Sequence, residues 1–419
     1  MTSADLPPLT VGPVDVHTED FERWVRALRL VFKDHAAPTP SFLESRRKLY
    51  ARQRVLAARD GDRIVGTFRS WDTTLTVPGG SLVADAISSV TVLPTHRRRG
   101  ALTGMMTADL ASAVSRRIPV AVLIASEAPI YGRYGFGVAT DAVTWTLDVR
   151  AAAVRPEALR LAESMRLEPV TDAELRPLGP SLFERARRPG AIDFDSSWWD
   201  VICRLVEGPG WQRDPEVTIL ARDATGTVQG VLRYSAKETW EDRVINTRVD
   251  VRMLYAATPA AEAALWRYLV ELDLVATVKA EDRPVDEPLP WLLRDSRAAR
   301  QTSRCDFLWS RVLDPAAALG GRRYAVPGAV VLEITDPQGW AAGKIALEAD
   351  SDGKATCEPT AASPDVTMAV DVLSEVWLGG GDLVAAMRAG RVAEHRDGML
   401  ERTAALFRTP RAPWCPTWF

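Results

Sequence analysis

The 419-residue chain holds only four cysteines, Cys203, Cys305, Cys357 and Cys415, with no Cys-x-x-Cys pair among them. That argues against both a disulfide framework and a zinc ribbon, and no other metal pattern stands out. No apolar run approaches the roughly 20 residues that a membrane-spanning helix needs. The opening segment is acidic and proline-bearing where a secretion signal would be basic and then apolar, so a cytoplasmic chain with reduced thiols is expected. Basic charge is not in excess. Lys and Arg number 52 against 55 Asp and Glu, a net charge of −3, which gives no general attraction for nucleic acid or a membrane surface. With 47% hydrophobic and 26% charged residues, the composition is that of a globular chain of several domains.

What is present is concentrated between Ser88 and Gly137. Ser89–Leu93 is β-branched and apolar, as a buried strand should be, and Pro94 ends it. Arg97, Arg98, Arg99 and Gly100 lead directly into Ala101–Val114, where Leu102, Met105, Met106, Leu110 and Val114 recur at helical spacing. A glycine loop opening onto a helix N-terminus is an anion site, because unsatisfied N–H groups and the positive end of the dipole face the ligand. Neighbouring arginines add charge-assisted bonds to phosphate oxygens. The ligand implied carries a pyrophosphate. A P-loop would follow the glycine with Lys-Ser or Lys-Thr, and a dinucleotide fold would need GxGxxG; neither is here.

Val120–Ala125 is a short apolar run expected to lie parallel to Ser89–Leu93, with Ser126 and Glu127 at its polar end. Tyr131-Gly132-Arg133-Tyr134-Gly135-Phe136-Gly137 then forms an aromatic, glycine-rich turn before a closing strand, Val143–Val149. Taken together, V-x-V-x-P-T-H-R-R-R-G, A-S-E and I-Y-G-R-Y-G-F-G resemble the enhanced intracellular survival (Eis) family of actinobacterial GCN5-related N-acetyltransferases (GNAT). Leu102 departs from the small residue usual in the broad superfamily and fits the Eis-type subgroup.

The resemblance implies an α+β chain with two tandem GNAT-type acetyltransferase domains followed by a sterol-carrier-protein-like α/β domain. The expected divisions are residues 1–152, catalytic; 153–301, degenerate; and 302–419. Acetyl-coenzyme A would be held by Val90, Thr91, Val92, Arg98, Arg99, Gly100, Ala101, Leu102, Thr103, Ser126 and Glu127, with no metal. Amine acetylation needs an acid for the leaving sulfur. A tyrosine suits it, its ordinary pKa of about 10 lying above the roughly 8.5 of a thiol. By resemblance the acid is Tyr131, and Tyr134, where the family shows phenylalanine, has a packing role.

Upstream, a first strand is expected over Val11–Glu19, then an amphipathic helix Asp20–Val31 with Phe21, Trp24, Leu28 and Val31 inward. Phe32–Phe42 reads as a loop, which in the resembling fold walls the acceptor pocket, so Asp34 is a candidate for attracting a cationic amine. A helix Ser41–Gln53 and antiparallel strands Arg54–Arg59 and Ile64–Leu75 follow. Ala151–Arg166 has little pattern and reads as a linker. Thr258-Pro259-Ala260 stands where a second cofactor loop would be and lacks both arginine and glycine. The third part should open with the strand Asp306–Arg311. Trp198, Trp199, Trp211, Trp240, Trp266 and Trp291 are expected to be mostly core.

The C-terminal segment, Arg411–Phe419, carries Trp414, Trp418, Phe419 and two prolines. Aromatics seek burial and proline lowers the entropy of an unfolded tail, so this segment should be docked. In the Eis family the terminal carboxylate is the proposed general base, here that of Phe419. Trp418 replaces an acidic residue of the aminoglycoside-modifying member. The implied reaction is acetyl transfer by direct attack of a primary amine (aminoglycoside, polyamine or lysine-type), in a homo-oligomer that family resemblance makes a hexamer. The alternative is a non-catalytic protein that binds acyl-coenzyme A or lipid.

Overall fold

The computed structural model describes residues 8–193, 196–206 and 214–419, leaving Trp211 outside. It comprises two compact units. One is Met1–Thr140, Phe307–Pro410 and Trp418–Phe419; the other is Asp141–Asp306 and Arg411–Thr417.

The first unit begins with β1 (Thr10–Pro13), α1 (Glu19–Val31) and α2 (Pro40–Tyr50), where the Thr39 hydroxyl caps α2 by accepting from Phe42 N. Phe21 and Trp24 are buried as expected, but Val25 takes the third inward position, and Leu28 and Val31 are half-buried. Then come β2 (Arg54–Asp60), β3 (Arg63–Val77), β4 (Gly80–Val92), α3 (Ala101–Ser115), β5 (Val120–Ile124) and β6 (Gly137–Val138). The β3–β4 register breaks near its end: Thr67 pairs Thr91 and Arg69 pairs Ser88, so Ser89 and Val90 both oppose Phe68. This bulge puts Ser89 at φ 54°, and the Thr67 hydroxyl fixes it by donating to Ser89 O at 2.8 Å. Parallel pairing of β4 with β5 covers only Ala84–Ile87 against Val120–Leu123. Past Ile87 the two strands part.

The second unit contains β7 (Asp141–Asp148), α4 (Pro156–Ala162), β8 (Arg166–Val170), α5 (Asp172–Ala186), α6 (Ser196–Ile202), β9 (Glu216–Arg222) and β10 (Val228–Lys237). A short ribbon, β11 (Trp240–Glu241) with β12 (Val244–Ile245), precedes β13 (Thr247–Ala256), α7 (Pro259–Val270), β14 (Val275–Arg283), α8 (Leu289–Leu292) and β15 (Ala299–Asp306). Its sheet runs β15-β7-β14-β13-β10-β9-β8. The expected linker is thus partly helical: Ala162 of α4 packs on Ala263 and Ala264 of α7, a small-residue contact that leaves little apolar pattern to read. Trp199 and Trp266 are core and Trp198 is half-buried, but Trp240 and Trp291 are 62% and 83% exposed.

The chain then returns to the first unit. β16 (Leu308–Val312) inserts between β5 and β6, antiparallel to both, giving the order β1-β2-β3-β4-β5-β16-β6. Two strands therefore change places relative to expectation. The segment expected to close the first sheet, Val143–Val149, lies in the second, and the segment expected to open the third part completes the first. Alternation shows that a strand is half-buried, not which sheet receives it. The remainder is α9 (Pro315–Gly320), β17 (Gly328–Thr335), β18 (Gly343–Ala349), β19 (Ala355–Pro359), β20 (Val366–Ala369), α10 (Val370–Val376), α11 (Leu383–Arg388), β21 (Val392–Glu394) and α12 (Met399–Phe407), with sheet order β19-β18-β17-β20-β21.

Candidate active site

The β4–β5 divergence leads straight to the arginine loop. Arg98 adopts φ 62° and Gly100 φ 80°, turning the chain into α3. Gly100 caps α3 without a side chain, and a Cβ built on it would meet nothing within 4 Å. Among the described residues, no N-cap side chain occupies the first-turn N–H groups. At α7 in the second unit the Thr258 hydroxyl accepts from Ala261 N at 3.2 Å, using a donor that an anion would need. The missing glycine and arginines are matched there by an occupied helix end.

The three arginines separate by role. Arg98 is exposed and has no partner among the described residues. Arg99 turns inward, its side chain 9% exposed, and donates to Asp60 at 2.8 Å; Asp60 also faces His96 at 3.2 Å. The bond from Arg99 holds the Asp60 carboxyl below its ordinary range. Arg97 and Glu127, both exposed, stand 3.9 Å apart, linking the loop to the polar end of β5. Ser126 is exposed beside Glu127, and Val90 and Val92 are half-buried around buried Thr91. Ala101 is buried in the core, Leu102 half-buried, and Thr103 exposed.

The two tyrosines differ in what holds their hydroxyls. The Thr103 hydroxyl lies 3.0 Å from that of Tyr134. The Tyr131 ring is 7% exposed, between Phe136 at 6.1 Å and Trp309 at 6.5 Å, and its hydroxyl has no hydrogen bond among the described residues. Burial first, then Glu127 and Tyr134, pushes the Tyr131 pKa up to about 12. The turn carrying both is braced by Arg311 of β16, wholly buried, which donates to Tyr134 O at 2.7 Å and pairs with Asp336 at 2.8 Å. Trp309 and Arg311 were beyond sequence reasoning because their strand comes from the far end of the chain. Their nearest signal is the glycine spacing of the turn. A Cβ on Gly135 would stand 2.6 Å from Arg311 Nε, and one on Gly137 2.1 Å from Asp371 O.

On β3, the Trp71 indole meets the Phe419 ring edge-on at 5.7 Å, and the Trp418 ring meets Phe307 at 5.0 Å. In the second unit, Trp414 lies against the guanidinium groups of Arg188 at 5.6 Å and Arg283 at 5.0 Å, and its indole donates to Asp282 O at 2.7 Å. The expected docking holds at Trp414 and Cys415, which are buried, and at half-buried Phe419, whereas Trp418 is 59% exposed. Asp34, in contrast, is neutralised by Arg29 at 2.8 Å.

One cluster went unnoticed in the sequence. Asp85 of β4 and Asp109 of α3 are buried together, with Ser70 donating to Asp109 at 2.5 Å and Arg54 and Arg116 pairing with Asp85. Burial and the Asp109 carboxylate push the Asp85 pKa well above the usual carboxylate range, against the two arginines. An aspartate within the apolar Val83–Ile87 run, and another on the inward face of α3, were the available signals.

Fold and site together define a tandem GNAT acetyltransferase with a third, sterol-carrier-like domain. Residues 15–139 match an acetyltransferase (GNAT) domain family, residues 190–320 a second such family, and residues 315–416 a sterol carrier protein domain. An uncharacterized N-acetyltransferase of Streptomyces avermitilis is 42% identical over 403 residues, covering 94% of this chain and 96% of the relative. N-acetyltransferase Eis of Mycobacterium tuberculosis is 35% identical over 360 residues, 84% of each chain. The crystal structure of Eis1 from Mycobacterium abscessus superposes with TM-score 0.83 at 28% identity, over 98% of this chain and all of that one. The chain belongs to the Eis family of N-acetyltransferases.

Proposed function

We propose that this acetyltransferase moves acetyl from acetyl-coenzyme A directly onto a primary amine, in the first GNAT domain. The observation that carries the reading is the uncapped N-terminus of α3, open at Gly100 and flanked by the unpaired Arg98, at the mouth of the β4–β5 divergence. Bound acetyl-coenzyme A supplies the acetyl group as a thioester. Arg98 and the N–H groups of Ala101, Leu102 and Thr103 hold its pyrophosphate. The strand edge at Val90, Thr91 and Val92, without a β5 partner, receives the pantetheine amides, and Ser126 and Glu127 line the far side. Arg99 contributes by fixing the loop through Asp60.

The Phe419 carboxylate takes a proton from the acceptor ammonium, and Tyr131 supports the leaving sulfur. With its pKa at about 12, the Tyr131 phenol stays protonated through the working pH range. Its hydroxyl is free to donate as the carbon–sulfur bond breaks, when the sulfur most needs a proton. A homohexamer in the cytoplasm fits the family; no helix among the described residues is long and apolar enough to cross a membrane.

The test is coenzyme A release from acetyl-coenzyme A with a panel of polyamines, aminoglycosides and lysine derivatives. Turnover on one class, abolished by Tyr131→Phe, supports the mechanism. Tight acetyl-coenzyme A binding with no turnover on any amine would move the assignment to a non-catalytic acyl-coenzyme A-binding protein.

A further inference from the structure

A ladder of cations and rings runs from α1 through α2 to β3. Arg29 and Arg46 both lie over the Phe42 ring, at 5.1 and 4.9 Å. Arg69 lies over both Tyr50 and Trp71, at 4.6 and 4.7 Å, and Trp71 carries the Phe419 ring. Arg69 is also tied to the β4 bulge, donating to Ser88 at 3.0 Å and Ser89 at 2.9 Å, and to Gln53 at 2.8 Å. These acceptors are neutral. Arg29 has its counter-ion in Asp34, but Arg46 and Arg69, 3% and 4% exposed, have no ion pair among the described residues. Arg46 Nη2 is moreover a buried donor with no hydrogen-bond partner among the described residues. Burial lowers the Arg69 pKa, Tyr50 opposes this, and the Arg46 charge adds to it, so the two guanidinium groups act on each other.

Two buried, unbalanced positive charges are unusual, since buried charge is ordinarily paired. Arg69 borders the bulge near which β4 leaves β5 and lies over the Trp71 indole that carries Phe419, and Arg46 of α2 acts on it through its charge. With Asp34 cancelled by Arg29, this wall is net positive. Its potential, little screened by salt, repels a polycation and attracts an anion even without direct contact. We infer that the acceptor is an amine that also bears a carboxylate, and that Arg46 and Arg69 select for it. This deepens, and rests on, the acetyltransferase reading. A carboxylate has two sources here, the acceptor and the main-chain carboxylate of Phe419, and the arms of the test separate them.

Coenzyme A release is measured with lysine and with cadaverine, the same chain without the carboxylate, on the full-length protein. The expected result is a kcat/KM preference for lysine of about tenfold or more, the discrimination typical of one charge-assisted interaction. Arg46→Gln should bring the lysine-to-cadaverine ratio toward one. A ratio near one in the native protein overturns the assignment to the acceptor. If Arg46→Gln then lowers the melting temperature of the native protein, but not of a version with one glycine added after Phe419, the terminal carboxylate is the counter-charge. Should Arg46→Gln not fold, calorimetric binding of lysine against cadaverine to the native protein decides. The same titration applies if no amine is turned over. In that case the acetyltransferase reading fails, while a lysine preference still supports the anion-selecting wall and its absence removes it.

Discussion

The Phe419 ring stands edge-on to the Trp71 indole, ring centroids 5.7 Å apart and planes at 89°. Pairs of this kind contribute about 1 kcal/mol beyond the area they bury. The contact fixes the last residue of the sequence against the middle of β3. A glycine added after Phe419 displaces the carboxylate while leaving the ring free to dock. Turnover should then fall at least 100-fold, the scale of a lost general base, with acetyl-coenzyme A affinity unchanged by calorimetry. Full turnover in the extended protein would remove Phe419 from the chemistry.

Tyr131→Phe removes a hydroxyl that no described residue uses, so folding and acetyl-coenzyme A binding should persist while kcat drops by about 100-fold or more. Tyr134→Phe cuts the bond to Thr103 in the first turn of α3 instead, and its effect should fall on the cofactor KM. With Tyr131 pushed to about 12, the native pH–rate profile should show no loss from this group up to about pH 10.

Arg98 and Arg99 predict opposite signatures. Arg98→Ala should weaken acetyl-coenzyme A binding about tenfold, the loss of a charge-assisted bond to phosphate, with no change in melting temperature. Arg99→Ala strips Asp60 of its main partner and should lower the melting temperature as well as affinity. Paired thermal-shift and calorimetric titrations distinguish the two.

Glu262 of α7 has its pKa raised from 4.5 to about 7, by burial and then by Glu287, against Arg283 and Arg188. The fold therefore favours its protonated form. The stability it contributes is complete below about pH 4.5 and is lost as the pH rises to about 7. Glu262→Gln should melt with the native protein at low pH and several degrees above it at pH 8, read by calorimetry across the range. Coincident curves at both ends would mean that the carboxylate is compensated.

Gly137→Ala would drive a Cβ to 2.1 Å from Asp371 O of α10. Asp371 O is a backbone atom and a Cβ is held rigidly by its own backbone, so the expected cost is about 3 kcal/mol, visible as a large drop in melting temperature without a specific effect on acetyl-coenzyme A affinity once folded.

The arginine loop, the helix behind it and the strands around it could be read from the sequence because each is local. Proline, glycine and apolar spacing within a few residues decide them. Partnership was not local. Nothing in Leu308–Val312 says that it enters the first sheet, and nothing around Arg99 says that Asp60 will claim it. The buried pair Asp85 and Asp109 looks like two ordinary charges until β4 and α3 face each other. Asp34 reads as available until Arg29 is seen beside it.

The placement of β16 has a consequence for the order of synthesis. When Gly137 and Val138 leave the ribosome, β6 has no neighbour to join, for the strand that separates it from β5 lies beyond residue 307. The edge of β5 stays unpaired, with Val120–Leu123 wholly apolar, while the second sheet is being made. At synthesis rates of roughly 5–20 residues per second, that interval lasts on the order of ten seconds or more. During it the nascent domain presents a hydrophobic strand edge, the feature most prone to pairing with another chain. Completion of the acetyltransferase sheet is a late event that waits for the middle of the molecule to be translated.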